Sequence, residues 1–178
     1  PTSPAHKAPL WLLVMVTLAG TLAMHMFIPA LPDATHHLGA SSGQMQQTIT
    51  VYIMGLAVGQ LIYGPLSDAL GRRPVLLAGL CVYTLGSLAA FLAPSAPALI
   101  GARLLQALGG CAGLALGRAI ARDTSTPETA VGTLALLNLM MMIGPGIAPS
   151  IGSALDAAFN WRAIFAALAL IGLLTFIG

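Results

Sequence analysis

The chain has 178 residues, 57% of them hydrophobic and only 7% charged, with a formal net charge of +2. Soluble domains carry about 25% charged residues, so this composition excludes a soluble fold. The absence of a basic cluster interleaved with aromatics excludes nucleic acid as a partner. The class expected is an all-α membrane protein embedded in a lipid bilayer.

Residues 1–9 include Lys7 and read as a cytoplasmic N-terminal segment. A helix needs about 20 apolar residues to cross the hydrocarbon core. Six stretches within 10–178 qualify: 10–30, 48–66, 74–93, 98–120, 131–154 and 161–178. The first is too long for the apolar region of a signal peptide and is read as a retained span. Breaks are expected at Pro32-Asp33, Gly71 to Pro74, Pro94 to Pro97, Asp123 to Pro127 and Asp156 to Asn160, all rich in turn-forming residues. Links this short make neighbouring spans antiparallel. Lys7, Arg72, Arg73, Arg118 and Arg122 then fall on one side and Arg162 on the other. An excess of cations marks the cytoplasmic side, which places both ends of the six-span bundle there. The chain starts at Pro1 and stops inside an apolar run at Gly178, and so reads as part of something longer.

Residues three or four apart share a helix face. The first span carries Thr17, Thr21 and His25 on one face, and the second Tyr52, Gly55, Gly59 and Tyr63. The fourth carries Arg103, Gln106, Gly110, Gly113 and Gly117, and the fifth Asn138, Met142, Pro145, Pro149 and Gly152. The third offers only groups such as Thr84 and Ser87, and the sixth only Thr175. Polar groups in a span face protein or water rather than lipid. Spans 1, 2, 4 and 5 are therefore expected to enclose a path, with 3 and 6 outside against lipid. The glycines equally suit close helix packing.

Arg103 is the most pointed signal. Its guanidinium stays protonated, and at mid-bilayer it costs roughly 2.5–3.5 kcal/mol. It is expected to face a wet cavity or a partner. His25 and Arg103 each lie six residues inside the outer end of their span, roughly 9 Å deep at 1.5 Å per residue. That matched depth allows one shared site. The path residues read from the sequence are thus Arg103, His25, Gln106, Tyr52 and Asn138. Cys81 and Cys111 lie in different spans without CxxC spacing, so no metal or other cofactor is expected. An intramembrane hydrolase needs a nucleophile and base, or a metal set, buried together, and His25 is the only embedded histidine. Transport is expected rather than catalysis.

Between spans 2 and 3, Gly64, Leu66, Asp68, Gly71, Arg72 and Arg73 are followed by Pro74. Asp68 and Arg72 can pair locally, Gly71 suits a left-handed turn position, and Pro74 suits a first helical turn. This order resembles motif A of the major facilitator superfamily, G-x-L-x-D-x-x-G-R-[RK]. Arg103, Gln106 and Gly109 resemble its motif B, with Ala107 where glycine is usual. Gly144, Ala148, Pro149, Gly152 and Ser153 resemble the exporter motif C, with two small residues in place of glycine. The stretches 63–68, 118–123 and 161–165 are similar to Bcr/CflA-type drug exporters, a group associated with bicyclomycin and chloramphenicol resistance.

The resemblance implies the N-terminal six-helix half of a twelve-span, proton-coupled drug exporter of the bacterial inner membrane, with the C-terminal half absent. Its partners would be a small-molecule drug, protons, and the missing half or a second copy. Asp68, Arg72, Arg73 and Asp123 would form a cytoplasmic charge cluster that steadies the outward-open state. Arg103 would couple protons or orient substrate. Gly64, Gly71, Gly144, Pro145, Pro149 and Gly152 would serve bending and packing, with Gly144, Pro149 and Gly152 fitting span 5 against the second half. Relatives of this type usually carry aspartate where His25 stands. Histidine also titrates near neutral pH, so proton coupling can survive, but a preference for cationic drugs is not expected. Two alternatives stay open: a carrier of a metabolite such as a sugar or amino-acid derivative, and a fragment or dimerising half without independent activity, because alternating access needs two halves.

Overall fold

The structure, a computed structural model, describes residues 9–124 and 127–178. In chain order the helices are α1 (Leu10–Phe27), a 3-10 turn (Ile28–Ala30), α2 (Leu31–His37), α3 (Ser42–Leu70), α4 (Arg72–Phe91), α5 (Ala96–Thr124), α6 (Pro127–Ala158) and α7 (Trp161–Ile177). No strand occurs among the described residues. Five helical stretches are long and apolar enough to cross a bilayer, with 10–37 counting as one, and α7 is a shorter apolar helix. The architecture is the expected bundle of six spans.

Several helices overrun the apolar stretches, and at the start of α3 polar residues cap the extension. The break expected at Pro32-Asp33 is absent. Pro29 and Pro32 fall in the first turns of the 3-10 turn and of α2, where a missing N–H costs little. The chain turns only at Gly39, whose φ is 57°. α3 then starts at Ser42 rather than 48, because Ser41 and Gln44 cap each other reciprocally, which satisfies two orphan N–H groups. Gly71, with φ of 91°, is the whole link from α3 to α4. α6 runs past Asp156 to Ala158 and stays helical through Pro145 and Pro149. Residues 1–8 of the expected N-terminal segment, and 125–126 of the fourth expected break, lie outside the described residues.

α5 is the hub, packing on α3, α4 and α1, while α1 packs in turn on α6 and α7. The order α3–α5–α1–α6 makes a front layer, and α4 packs on α7 behind it. Spans 3 and 6 are thus the back layer. Close approach depends on glycine. A Cβ on Gly109 would run into the Tyr83 backbone, one on Gly113 into the Val16 carbonyl, and one on Gly152 into the Met26 carbonyl. Hydrocarbon supplies no hydrophobic drive between helices, so backbone contact through small residues takes its place. α3 and α6 leave large apolar side chains uncovered, among them Met54, Leu61, Met142 and Ile147.

Candidate functional site

The polar stripe of α1 divides. Thr17 is buried in the seam with α5, against Gly117, and its hydroxyl donates to the Leu13 carbonyl at 2.7 Å. Thr21 and His25 are half-buried. The Thr21 hydroxyl donates to Leu18 O at 2.9 Å, and His25 Nδ1 donates to Thr21 O at 2.8 Å. With Nδ1 so engaged, the ring keeps its other nitrogen for a second partner.

Arg103 is fully buried. Its Nη1 donates to Ala23 O at 3.0 Å and to Gln106 Oε1 at 2.7 Å. Gln106 Nε2 donates to Ser87 Oγ at 2.9 Å, and the Ser87 hydroxyl donates to Tyr83 O at 2.8 Å. The guanidinium carbon lies 4.0 Å from the Tyr52 ring centre, 5.3 Å from Phe27 and 5.7 Å from Phe165. Among the described residues both ion pairs belong to Arg72, so no carboxylate neutralises Arg103. Nε and Nη2 have no partner. A desolvated cation–π contact is worth about 2 kcal/mol, and each buried unpaired N–H costs about 1–3 kcal/mol. The rings therefore offset part of the loss of hydration, and the site remains short of hydrogen-bond acceptors.

This corrects two expectations. Arg103 does not line a wet crevice in this bundle; it lies in a dry cage of rings. A delocalised guanidinium is weakly hydrated and stacks on aromatic faces, so side chains can replace its water. Nor do Arg103 and His25 share a site. Arg103 grips α1 at Ala23, and His25, two residues further on, is rotated about 200° round the helix. Depth was matched but bearing was not.

Gln106 and Tyr52 do join Arg103, and the Tyr52 hydroxyl donates to Gly20 O at 2.6 Å. Asn138 does not: it is exposed on α6. Below Arg103 the α5 stripe is a packing seam rather than a path lining, with Gly110 on Gly20 and Gly113 on Val16. Gly144 and Gly152 face Leu18 and Met26 of α1, so both find a partner inside this bundle. Pro145 and Pro149 are half-buried. The sequence reading missed Tyr83, Phe27 and Phe165, and valued Ser87 only as weakly polar. A tyrosine in mid-span is a usable signal, since its hydroxyl seeks a partner when buried.

At one end of the bundle Arg72 Nη1 pairs with Asp68 at 2.9 Å and its Nε with Asp123 at 3.2 Å. Nη1 also donates to Ser67 Oγ at 2.5 Å. One guanidinium thus joins the end of α3, the start of α4 and the end of α5. Arg73 is exposed beside it, and Gly64 is half-buried with open space at its Cβ position. At the other end Arg162 lies 4.4 Å from the Trp161 ring centre. It donates to Phe91 O at 3.2 Å and Ala93 O at 2.9 Å, satisfying carbonyls that the end of α4 leaves free.

A family model described as the Major Facilitator Superfamily matches residues 13–178. The chain is 35% identical to Multidrug resistance protein D of Escherichia coli strain K12, over 88% of the chain and 40% of that protein. It is 39% identical to a Chloramphenicol resistance protein of Pseudomonas aeruginosa, over 86% and 37% respectively. It is 31% identical to the Bicyclomycin resistance protein homolog of Haemophilus influenzae, over 90% and 40%. The chain spans about two fifths of the length of these curated relatives.

Proposed function

This chain belongs to the major facilitator superfamily, among relatives of the Bcr/CflA drug-exporter type, and from that premise we propose that it supplies the N-terminal six-helix half of a proton-coupled exporter of small drugs in the bacterial inner membrane. The observation that carries the proton reading is His25, a half-buried imidazole on the side of α1 away from the Arg103 cage, with Nδ1 already held by Thr21 O. No aspartate or glutamate occurs in the six apolar stretches, and histidine changes charge in the physiological range. A second half, further along the polypeptide or in a second copy, completes the carrier. The uncovered apolar faces of α3 and α6 suit that contact. Both ends of the bundle's chain lie in the cytoplasm, on the side of the Arg72 cluster, which biases the carrier toward its outward-open state. Drug selection rests on the path between the halves, and the want of an embedded acid speaks against cationic substrates.

Inside-out membrane vesicles carrying the complete transporter test this reading. They should accumulate chloramphenicol when the lumen is acidified and lose it when a protonophore is added; accumulation indifferent to the protonophore overturns proton coupling. His25→Asp should move the acid limb of the transport profile to lower pH, because a carboxyl titrates below an imidazole. An unmoved profile would remove His25 from the proton path.

A further inference from the structure

Three side chains from three different helices donate to the backbone of a fourth. Tyr83 Oη on α4 donates to Ala19 O at 2.9 Å, Tyr52 Oη on α3 to Gly20 O at 2.6 Å, and Arg103 Nη1 on α5 to Ala23 O at 3.0 Å. A carbonyl oxygen has two lone pairs, so each can keep its helical bond and accept a visitor as well. All three donor residues are fully buried, so bulk water does not replace a donor that is removed.

The accepting carbonyls occupy one side of α1. At about 100° per residue, positions 19, 20 and 23 fall within about 100° of arc, and Thr21 and His25 fall on the far side. α1 is therefore held from behind, and that hold turns its half-buried polar pair away from the cage.

Tyr83 is the least expected of the three, because α4 stands in the back layer. Its ring is wedged between α5 and α7: a Cβ on Gly110 would meet its Cδ2 at 3.2 Å, and one on Gly172 its Cδ1 at 2.9 Å. The hydroxyl reaches α1 from there. The Tyr83 carbonyl also accepts from Ser87, the last link of the chain from Arg103 through Gln106. One residue thus connects directly to α1 and indirectly to the buried cation.

We propose that Tyr83 is a positioning residue for transport, whose hydroxyl acts with Tyr52 and Arg103 to fix the rotation of α1 and so the aim of Thr21 and His25. It rests on the reading of this chain as part of a carrier, and Tyr83 itself touches no substrate.

The test uses the complete transporter with Cys81→Ser and Cys111→Ala, and a reporter thiol at Thr21→Cys. Tyr83→Phe keeps the ring and deletes only the hydroxyl. It should change the rate of N-ethylmaleimide labelling at Thr21→Cys by about three- to tenfold, the range that one hydrogen bond of ordinary net strength covers. Labelling at Ser95→Cys, between α4 and α5, should stay unchanged. Tyr52→Phe should act in the same sense, and the double variant should depart from the product of the single effects, as groups holding one element together do. The maximal transport rate should fall with KM within about twofold, because no substrate contact is lost. Equal labelling rates with and without the Tyr83 hydroxyl, or undiminished transport, overturn the proposal. A parent protein that transports nothing overturns the carrier reading instead, and the labelling comparison still reports whether the hydroxyl sets the rotation of α1.

Discussion

Arg103 shows what a single residue can impose on a membrane protein. A permanent cation with two unpaired nitrogens and, among the described residues, no carboxylate partner is an unusual thing to bury. The three rings around it soften that cost because a delocalised guanidinium is weakly hydrated and is attracted to aromatic faces. Lysine is a compact point charge and does not stack in this way. Arg103→Lys and Arg103→Ala should therefore both lower drug export by about tenfold or more, the equivalent of one charge-assisted hydrogen bond, with membrane levels within about twofold of the parent. Export retained by either variant would separate Arg103 from the mechanism. The residue was legible in the sequence because the other charge in its stretch, Arg118, lies at the far end, which leaves Arg103 alone among apolar neighbours. Its setting was not, because its contacts come from positions 23, 27, 52 and 165, on three other helices.

Between elements, glycine decides which helices touch. A Cβ on Gly152 would press on the Met26 backbone, which cannot swing aside as a side chain does. Gly152→Ala should push α6 away from α1 and cost about 1–3 kcal/mol, as overpacking does, read as a lower unfolding midpoint in detergent. Gly132, in the same helix, has no atom within 4 Å of its Cβ position. Gly132→Ala should instead raise the midpoint slightly, by up to about 1 kcal/mol, because alanine is the better helix former. Equal effects of the two substitutions would refute α6 packing through Gly152. Sequence spacing found both the glycine stripes and the prolines of α6, but spacing alone does not say whether a stripe meets a neighbour in the same bundle or faces a path.

For the whole molecule the question is which end faces the cytoplasm. The Arg72 cluster and the Arg162 clasp mark opposite ends of the bundle, and from the excess of cations we propose that the former faces the inside. Impermeant thiol reagents should label Ala69→Cys only after the membrane is opened and Ser95→Cys in intact cells. The reverse pattern would invert the topology. Ser67 is the wrong reporter, since it is buried and bonded to Arg72. The Arg72 pairs are themselves partly exposed, with Asp68 at 68% and Asp123 at 52%. Exposed pairs contribute about 0–1 kcal/mol each, so Asp123→Asn should leave the unfolding midpoint within experimental scatter while changing the transport rate. A large loss of stability would count against a role in biasing the transport cycle.

The sequence by itself determined the class, the six spans and the residues to watch, because each depends on local quantities. Apolar length is set by bilayer thickness, turn residues cap or break helices, and a lone charge in an apolar stretch needs shelter. The motif order also carried the family. Only the tertiary structure decided what shelters that charge and on which side of α1 each polar group lies. Those answers depend on rotation about helix axes, and rotation is fixed by contacts between residues far apart in the chain, such as Tyr83 with Ala19 and Arg103 with Ala23. The same physics explains the shared site that did not form: depth follows from counting residues along a span, whereas bearing follows from which neighbours a helix packs against.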